Sequence, residues 1–325
     1  MATAEQVKAL LRSHGDADDE RFYAVALQVA AAAARKGQHR LAQELRDLVD
    51  ETQEARRSTR SKRVTPVVRP RGDLAGLIDA SYPETRLTDM VLEDSAATTL
   101  ARTVREYQLR DRLRDHGFEP IRKLLLAGPP GTGKTMSASA LAGELRLPLF
   151  TTRLDGLITK FMGETAAKLR LIFDTIAETR GVYLFDEVDA LAAARQATND
   201  VGEARRILNS FLQFVEQDRS DSLIVAATNH EHLLDAALFR RFQVTVQFEL
   251  PTAVQIRHVI ENRLAGLDTS RVSWGHIEHA SEGLSHADAT VASEDAAKAT
   301  LMSDSESVDT ELLTSALRAR RRRVD

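Results

Sequence analysis

The sequence of 325 residues contains no cysteine and no long apolar run. The absence of cysteine excludes disulfide bonds, cysteine-ligated zinc and a thiol nucleophile. No apolar stretch approaches the length of a membrane span, and the opening residues, MATAEQVKAL, lack the charged-then-apolar order of a signal peptide. We therefore expect a cytoplasmic protein with no membrane partner.

Charge of either sign is in little excess, since the formal net charge is −4. This value argues neither for nor against binding to nucleic acid. The contents of hydrophobic residues (43%) and charged residues (28%) are those of an ordinary soluble globular protein. At this length the chain has room for two or three domains, each with its own core.

The first 50 residues are rich in alanine and carry apolar residues at helical spacing. We predict an N-terminal helical domain over residues 1–50 that docks a partner or a substrate protein. The stretch that follows, ETQEARRSTRSKRVTPVVRPRG, has basic residues and two prolines but little apolar content. It predicts a basic linker, which we assign to residues 51–84.

Between residues 120 and 250, short runs of β-forming residues alternate with helical segments. Alternation of this kind predicts an α/β fold in which helices cover both faces of a parallel sheet. After Pro251 the pattern is helical up to the terminal RARRRR, so we predict a large α/β domain over residues 85–250 and a helical lid domain over residues 251–325. The predicted strands are KLLLA (123–127), PLFTT (148–152), VYLFD (182–186), LIVAAT (223–228) and VTVQF (244–248).

The segment GPPGTGKT (128–135) satisfies the pattern G-x-x-x-x-G-K-[ST], directly after a predicted strand and before a predicted helix. Its glycines let the backbone curl so that successive N–H groups point inward, and the helix N-terminus adds partial positive charge. Lys134 is expected to reach the outer phosphates of a nucleotide, and the Thr135 hydroxyl to ligate Mg²⁺. The predicted nucleotide-binding residues here are Gly128, Pro129, Pro130, Gly131, Thr132, Gly133, Lys134, Thr135 and Met136.

Polar residues end two of the predicted apolar strands. Asp186 closes the strand in VYLFDEVD (182–189), at the edge where open α/β sheets bind ligands, and we expect it to hold Mg²⁺ through water. Glu187 is a candidate base that polarises an attacking water. Asn229 follows the strand LIVAAT, where its amide can orient that water, although asparagine is also an ordinary turn former.

Two adjacent arginines, Arg240 and Arg241, precede the last predicted strand. Adjacent surface arginines often contact only solvent, and a surface ion pair contributes about 1 kcal/mol or less. Phosphoryl transfer, however, spreads charge over oxygens that one subunit cannot fully neutralise. An arginine inserted from a neighbouring subunit typically contributes a factor of about 10³–10⁵ in rate. Both arginines are therefore candidate catalytic residues.

The series GPPGTGKT, KFMGET, LFDEVD, ATN, ALFRRF and GLSHAD resembles, in this order, the AAA ATPases, and among them the branch with spastin, katanin and the proteasomal ATPases. The resemblance covers roughly residues 85–302. It implies an enzyme that hydrolyses ATP with Mg²⁺ and forms a homo-oligomeric ring of about six subunits, with ATP at each subunit boundary.

The resemblance also implies where the base of the nucleotide lies. The segment RLTDMVLED (86–94) resembles the one whose backbone holds adenine, which places Asp89, Met90 and Val91 near the base. The segment GLSHAD (283–288) resembles the second nucleotide sensor of the family, which contains His286 and Ala287 here.

Two of these elements depart from the family pattern. Pro-Gly usually separates two arginine fingers, whereas here Arg240 abuts Arg241, which leaves open which of them meets the γ-phosphate. His286 stands where the family usually has a small residue. A lone histidine at a helix start is more often a capping or packing residue than a ligand.

The stretch LITKFMGETA (157–166) places two bulky apolar residues before a Gly-Glu pair. In the family, an aromatic residue followed by an apolar residue and glycine lies on a loop that lines the central pore. Such side chains grip an extended polypeptide without sequence preference, because burial of apolar area is non-directional. The matching residues here are Lys160, Phe161, Met162 and Gly163, and residues 195–206 are expected to form a second pore loop.

Three functions are compatible with these features. The first is a ring that uses ATP to remodel, unfold or translocate a protein substrate through its pore. The second is a nucleic-acid motor or loader, prompted by RRSTRSKR (56–63) and the terminal RARRRR. The third is an ATP-gated scaffold that activates a partner, for which the resemblance suggests a subtilisin-like protease.

Overall fold

The computed structural model of the chain describes residues 74, 76–152, 162–190, 201–231, 236–303 and 305–321. The predicted N-terminal helical domain, most of the predicted linker, Lys160 and Phe161, and residues 195–200 of the second pore loop lie outside the described residues. The side chains of residues 162–164, 201–206 and 236–237 lie outside them as well. Within the described part, no helix combines the length and the apolarity needed to cross a membrane.

A sheet with helices on both faces is followed along the chain by a helical lid. The strands are β1 (Ile78–Ser81), β2 (Lys123–Ala127), β3 (Leu149–Thr152), β4 (Val182–Phe185), β5 (Leu223–Thr228) and β6 (Val244–Gln247). The helices of the sheet domain are α1 (Asp94–Gln108), α2 (Arg110–Asp115), α3 (Lys134–Leu145), α4 (Met162–Glu178), α5 (Val201–Gln217) and α6 (Ala236–Phe239). The lid contains α7 (Ala253–Arg263), α8 (Trp274–Ala280), α9 (His286–Met302) and α10 (Thr310–Arg321).

The strands are ordered β1-β3-β4-β5-β2-β6, and all neighbours are parallel except β1, which pairs antiparallel with β3. Every residue of β2, β4 and β5 is buried. Continuous apolar strands are what a parallel sheet requires when helices cover both of its faces. The α/β fold predicted from the alternating pattern is thereby confirmed.

The two faces of the sheet pack against different sets of helices, because successive strand residues point to opposite faces. Leu125 faces a core that it shares with residues of α4 and α5. In this core the rings of Phe173 (α4), Phe185 (β4) and Phe211 (α5) pack against one another. Its neighbours Leu124 and Leu126 face a second core, built with residues of α1 and α3. These two layers hold the carboxyl ends of the strands at one common edge.

Strand β1 has the sequence IDAS and alternates between buried and exposed positions. It lies inside the range 51–84 that the sequence predicts as a linker, so the sheet begins earlier in the chain than that prediction has it. The physical reason is its position at the end of the sheet, where a short strand pairs on one side only and needs no apolar run. It forms a strand because it pairs with β3, which lies more than sixty positions further along the chain.

The lid has a separate core formed by buried residues of all four of its helices. Helix α9 begins with a capping box, in which the Ser285 side chain accepts from the Asp288 N–H and the Asp288 carboxylate accepts from the Ser285 N–H. The cap fixes the start of α9 at the residue pair His286 and Ala287. The first turn of this helix contacts the sheet domain through the Ala287 N–H, which donates to the Gly131 carbonyl.

Candidate functional site

The loop GPPGTGKT joins β2 to α3, as the sequence predicts. Gly131 and Gly133 have φ values of 75° and 102°, a region that L side chains rarely adopt. Gly133 is the N-cap of α3, which therefore starts at Lys134 with its free N–H groups directed at the loop. The backbone thus has the form of an anion-binding cradle.

Lys134 is folded back into this loop. Its Nζ donates to the carbonyl oxygens of Gly128, at 2.8 Å, and Pro129, at 2.6 Å. Burial lowers the pKa of Lys134, and the charges of Asp186 and Asp189 oppose that effect. A partly desolvated cation that is hydrogen-bonded to two neutral carbonyls is stabilised by an anion placed beside it.

Thr135 and Asp186 meet across the sheet edge, because the Thr135 hydroxyl donates to Asp186 Oδ2 at 2.7 Å. One hydroxyl and one carboxylate at the same point are the oxygen ligands that Mg²⁺ prefers, with the remaining positions taken by phosphate oxygens and water. The donor set therefore fits the predicted Mg²⁺. Asp186 Oδ1 accepts from the Glu187 N–H at 3.0 Å, which orients the carboxylate.

Glu187 directly follows β4 and has a φ of 53°. Outside glycine, this left-handed conformation is uncommon and costs energy that the surrounding structure must supply. The residues after it hold the turn: Val188 is buried and its N–H donates to Ala227 of β5. The side chain of Glu187 is exposed at the edge of the sheet beside Asp186.

Asp189 is a site residue to which the sequence analysis gave no role. Its buried carboxylate accepts from the Thr228 hydroxyl at 3.0 Å and from the Asn229 N–H at 3.3 Å. These two bonds tie the end of β5 to the turn after β4 and fix the position of Asn229. The available signal was the third acidic residue in FDEVD, but its partners lie forty positions away.

A cavity of about 360 Å³ lies between the start of α3 and the lid. Asp89, Met90 and Val91, which were predicted to lie near the base, line it together with four other predicted nucleotide-binding residues, Thr132, Gly133, Met136 and His286. The segment 86–89 is tied to α3, because Glu144 accepts from the Leu87 N–H and from the Arg86 guanidinium. Helical spacing alone does not show which face of a lid helix meets the loop, so four lid residues of the cavity were not predicted: Val259, Asn262, Arg263 and Thr290.

His286 is half-buried at the wall of this cavity, and neither ring nitrogen has a hydrogen-bond partner among the described residues. Burial lowers the pKa of His286. The nearby Val91 backbone partly opposes this effect, although the contact does not reach hydrogen-bonding geometry. The next residue, Ala287, donates its N–H to the Gly131 carbonyl at 3.0 Å, so the start of α9 rests directly on the phosphate loop.

The two arginines lie at the other edge of the sheet. The Gln243 N–H donates to the carbonyl of Lys123, the first residue of β2, whereas the phosphate loop follows the last residue of that strand. Arg240 is exposed, and Arg241 forms an ion pair with Glu216 at 2.7 Å. The structure therefore brings Lys134, Thr135, Asp186, Glu187 and Asn229 to one edge and leaves both arginines away from it.

The pore-loop residues are only partly described. Met162 and Gly163 are the first two residues of α4, but their side chains lie outside the described residues. Residues 201–206 of the second predicted pore loop belong to the start of α5.

The sheet, the glycine loop after β2 and the acidic residues after β4 define a P-loop nucleoside triphosphatase. Residues 124–250 match the family described as "ATPase family associated with various cellular activities (AAA)". Over 256 residues the chain is 37% identical to y4kL of Sinorhizobium fredii, an uncharacterized AAA family ATPase, and the match covers 79% of this chain and 77% of that protein. The chain belongs to the AAA family of ATPases, and it is an ATP hydrolase.

Shorter matches connect it to two further relatives. It is 33% identical over 189 residues to the ATP-dependent zinc metalloprotease FtsH of Helicobacter felis, covering 55% of this chain and 30% of FtsH. It is 36% identical over 153 residues to proteasome-activating nucleotidase 2 of Haloferax volcanii, covering 45% of this chain and 37% of the nucleotidase. The chain thus matches only about a third of the length of either protein.

A solved structure shares the fold. The crystal structure of the FIGL-1 AAA domain matches with a TM-score of 0.62, over 79% of this chain and 92% of that domain. At 23% identity this likeness concerns the fold alone. The resemblance to AAA ATPases that the motif series indicates is confirmed by these comparisons.

Proposed function

We propose that the protein is an ATP-driven homo-oligomeric ring, of about six subunits, that remodels a protein substrate through its central pore. The FtsH and proteasome-activating relatives support a protein substrate over a nucleic acid, because their names describe proteolysis and proteasome activation. The N-terminal residues 1–50 would dock the substrate or a partner protein, such as a protease.

One observation supports the proposal of a ring: the candidate arginines and the phosphate loop occupy opposite edges of the sheet. Strand β2 has five residues, and at about 3.3 Å per residue it separates the two edges by about 16 Å. Arg240 of one subunit is therefore too far from the phosphate loop of the same subunit to reach a nucleotide there. If Arg240 contributes to catalysis, it must do so in the site of a neighbour.

Within one subunit, each residue at the carboxyl edge would have a distinct role. Lys134 would exchange its carbonyl partners for the outer phosphates, and Thr135 and Asp186 would hold Mg²⁺, which neutralises charge on the phosphate oxygens. Glu187 would accept a proton from the attacking water, and Asn229, fixed by Asp189, would orient that water. Met90, Val91, Met136 and His286 would enclose the base.

The grip on substrate would come from the first pore loop. Its aromatic and apolar residues, Phe161 and Met162, directly precede and begin α4, whose buried residues Leu169, Ile172 and Phe173 pack in the core beneath the sheet. A rigid helix joined to the loop would transmit movements of the ATPase domain to the substrate. Apolar contacts suit this role, because they hold a polypeptide of any sequence.

Mixed rings test the proposed function. E187Q subunits lack the base but supply Arg240, whereas R240A subunits supply the base but lack the arginine. In an equimolar random ring, about a quarter of the boundaries combine an intact base with an intact arginine, because each of the two conditions is met half of the time. We expect ATPase activity in the mixture although each variant alone is nearly inactive. A mixture no more active than the sum of its components would refute a shared site.

A further inference from the structure

We infer that the two adjacent arginines have different roles, which deepens the proposed function and depends on it. Arg240 is the guanidinium presented to the phosphate of the neighbouring subunit, whereas Arg241 is a positioning residue held by Glu216 of its own subunit. The assignment rests on the contacts of this edge of the sheet, where the family's Pro-Gly spacer is missing.

The turn that carries both arginines is fixed at each end by a buried apolar residue. Leu238 is fully buried and Phe242 is 6% exposed, and both belong to the core that includes α4 and α5. The Arg241 N–H donates to the Leu238 carbonyl at 3.0 Å. With no spacer between them, the arginines have little freedom to approach one ligand together.

Glu216, near the end of α5, holds Arg241. The Glu216 carboxylate contacts Arg241 Nη1 at 2.7 Å, and the Arg241 Nε is shielded from solvent. The backbone around Glu216 is itself anchored to the start of β2. Lys123 Nζ donates to the carbonyls of Glu216 and Asp218, and Arg122 forms a buried ion pair with Asp218 at 3.0 Å.

Arg240 is exposed and has no ion-pair partner among the residues whose side chains the structure describes. Arg241, by contrast, keeps a carboxylate partner although 38% of its side chain is exposed. To reach a neighbour's phosphate, Arg241 would have to leave Glu216 without its cation, whereas Arg240 breaks no ion pair with a described side chain. Of the two arginines, Arg240 is therefore the one whose charge no described carboxylate neutralises.

The two proposed roles predict different losses of ATP turnover when each arginine is replaced by lysine. A phosphoryl group is recognised by the planar fork of guanidinium, which lysine does not reproduce, whereas an ion pair with a carboxylate tolerates lysine. We expect R240K to lose at least about a hundredfold in ATP turnover and R241K to lose no more than about fivefold. An R241K loss as large as that of R240K would overturn the assignment.

An exchange of charges between Arg241 and Glu216 provides a second test. R241E and E216R should each lower turnover by about tenfold or more, because like charges then face each other at this position. The double variant restores an ion pair and should recover to within about fivefold of the unmodified protein. If Arg241 itself met the phosphate, the double variant would stay as inactive as R241E, and the assignment would be wrong.

The affinity of each variant for ATP shows whether a loss of turnover comes from misfolding or from the missing arginine. The phosphate loop of each subunit lies at the opposite edge, so every variant should bind ATP with a Kd within about twofold of the unmodified protein. If the double variant fails this control, the lysine pair decides alone. If R240K, R240A and R241E all keep full turnover, neither arginine serves a neighbour, and the proposed function fails together with this assignment. If R240K and R241K both lose ATP turnover, the assignment of different roles is refuted but the proposed function is not.

Discussion

The two edges of the sheet differ in how their residues are held. At the carboxyl edge, the candidate catalytic groups follow β4, β5 and β2, which lie side by side in the sheet. The contact of Thr135 with Asp186 links the segments that follow β2 and β4, on either side of β5. At the opposite edge, Arg241 contacts Glu216, whose backbone is hydrogen-bonded to Lys123 at the start of β2, whereas Arg240 is exposed. One edge therefore holds the groups proposed to bind and hydrolyse the nucleotide, whereas the other holds two arginines that lie too far from that site to act in it within one subunit.

The largest expected effect separates hydrolysis from binding at the carboxyl edge. E187Q removes the base but keeps the size of the side chain, so ATP should still bind while turnover falls by about a thousandfold, within the range for general bases. Single-turnover phosphate release and nucleotide affinity measure the two steps. The control is E282Q, an exposed carboxylate of the lid. Retention of a tenth or more of the activity would exclude Glu187 as the base.

The next effect concerns the coupling of the ATPase to work on a substrate. F161A removes the aromatic ring from the predicted pore loop, so unfolding of a fluorescent protein with an unstructured tail should fall at least about tenfold. ATP turnover should keep half or more of its value, because Phe161 is not among the residues predicted to bind or hydrolyse the nucleotide. Matched substitution of Phe118, an exposed ring far along the chain from the loop, serves as a control. Normal unfolding by F161A would contradict the pore mechanism.

A smaller effect is expected for the residue that joins two parts of the carboxyl edge. D189A leaves the Thr228 hydroxyl and the Asn229 N–H without their acceptor, which destabilises the fold by about 1–3 kcal/mol. Turnover should fall about tenfold with little change in KM, because Asn229 is displaced while the phosphate loop is not. D189N keeps an acceptor oxygen and should lose less in both measurements. Equal losses in D189A and D189N would argue against this positioning role.

The smallest effect is a pH dependence of stability at the boundary of lid and sheet domain. Burial lowers the pKa of His286, so just below its ordinary value of 6.5 the folded chain binds fewer protons than the unfolded chain. The contribution of His286 is therefore lost as pH falls through this window and regained as pH rises. Thermal unfolding at about pH 5.5 and about pH 7.5 should differ more for the unmodified protein than for H286A. If the unmodified protein and H286A showed the same change in thermal unfolding with pH, a contribution of His286 would be contradicted.

The sequence predicted best what is encoded locally. Each phosphate-loop residue lies within one uninterrupted segment between a strand and a helix, and the buried strands of a parallel sheet are continuous apolar runs. Asp186, Glu187 and Asn229 were predictable for the same reason, because a residue at the carboxyl end of such a strand lies at the ligand-binding edge. The motif series, rather than composition, indicated the AAA family.

What the sequence did not predict depends on partners that are distant in the chain. Strand β1 has no apolar run of its own and exists because β3 pairs with it. Asp189 resembles any acidic residue in a turn until β5 supplies its two donors. The distinction between Arg240 and Arg241 likewise depends on Glu216, and helical spacing in the sequence does not show that Glu216 lies beside Arg241.

The dependence of ATPase activity on protein concentration tests the central claim of a site shared between subunits most directly. With saturating ATP and Mg²⁺, turnover per subunit should fall steeply on dilution, in parallel with dissociation of the ring as followed by sedimentation. The account predicts that monomers are nearly inactive, because the edge with Arg240 then faces no phosphate. Constant turnover per subunit in a purely monomeric sample would contradict it.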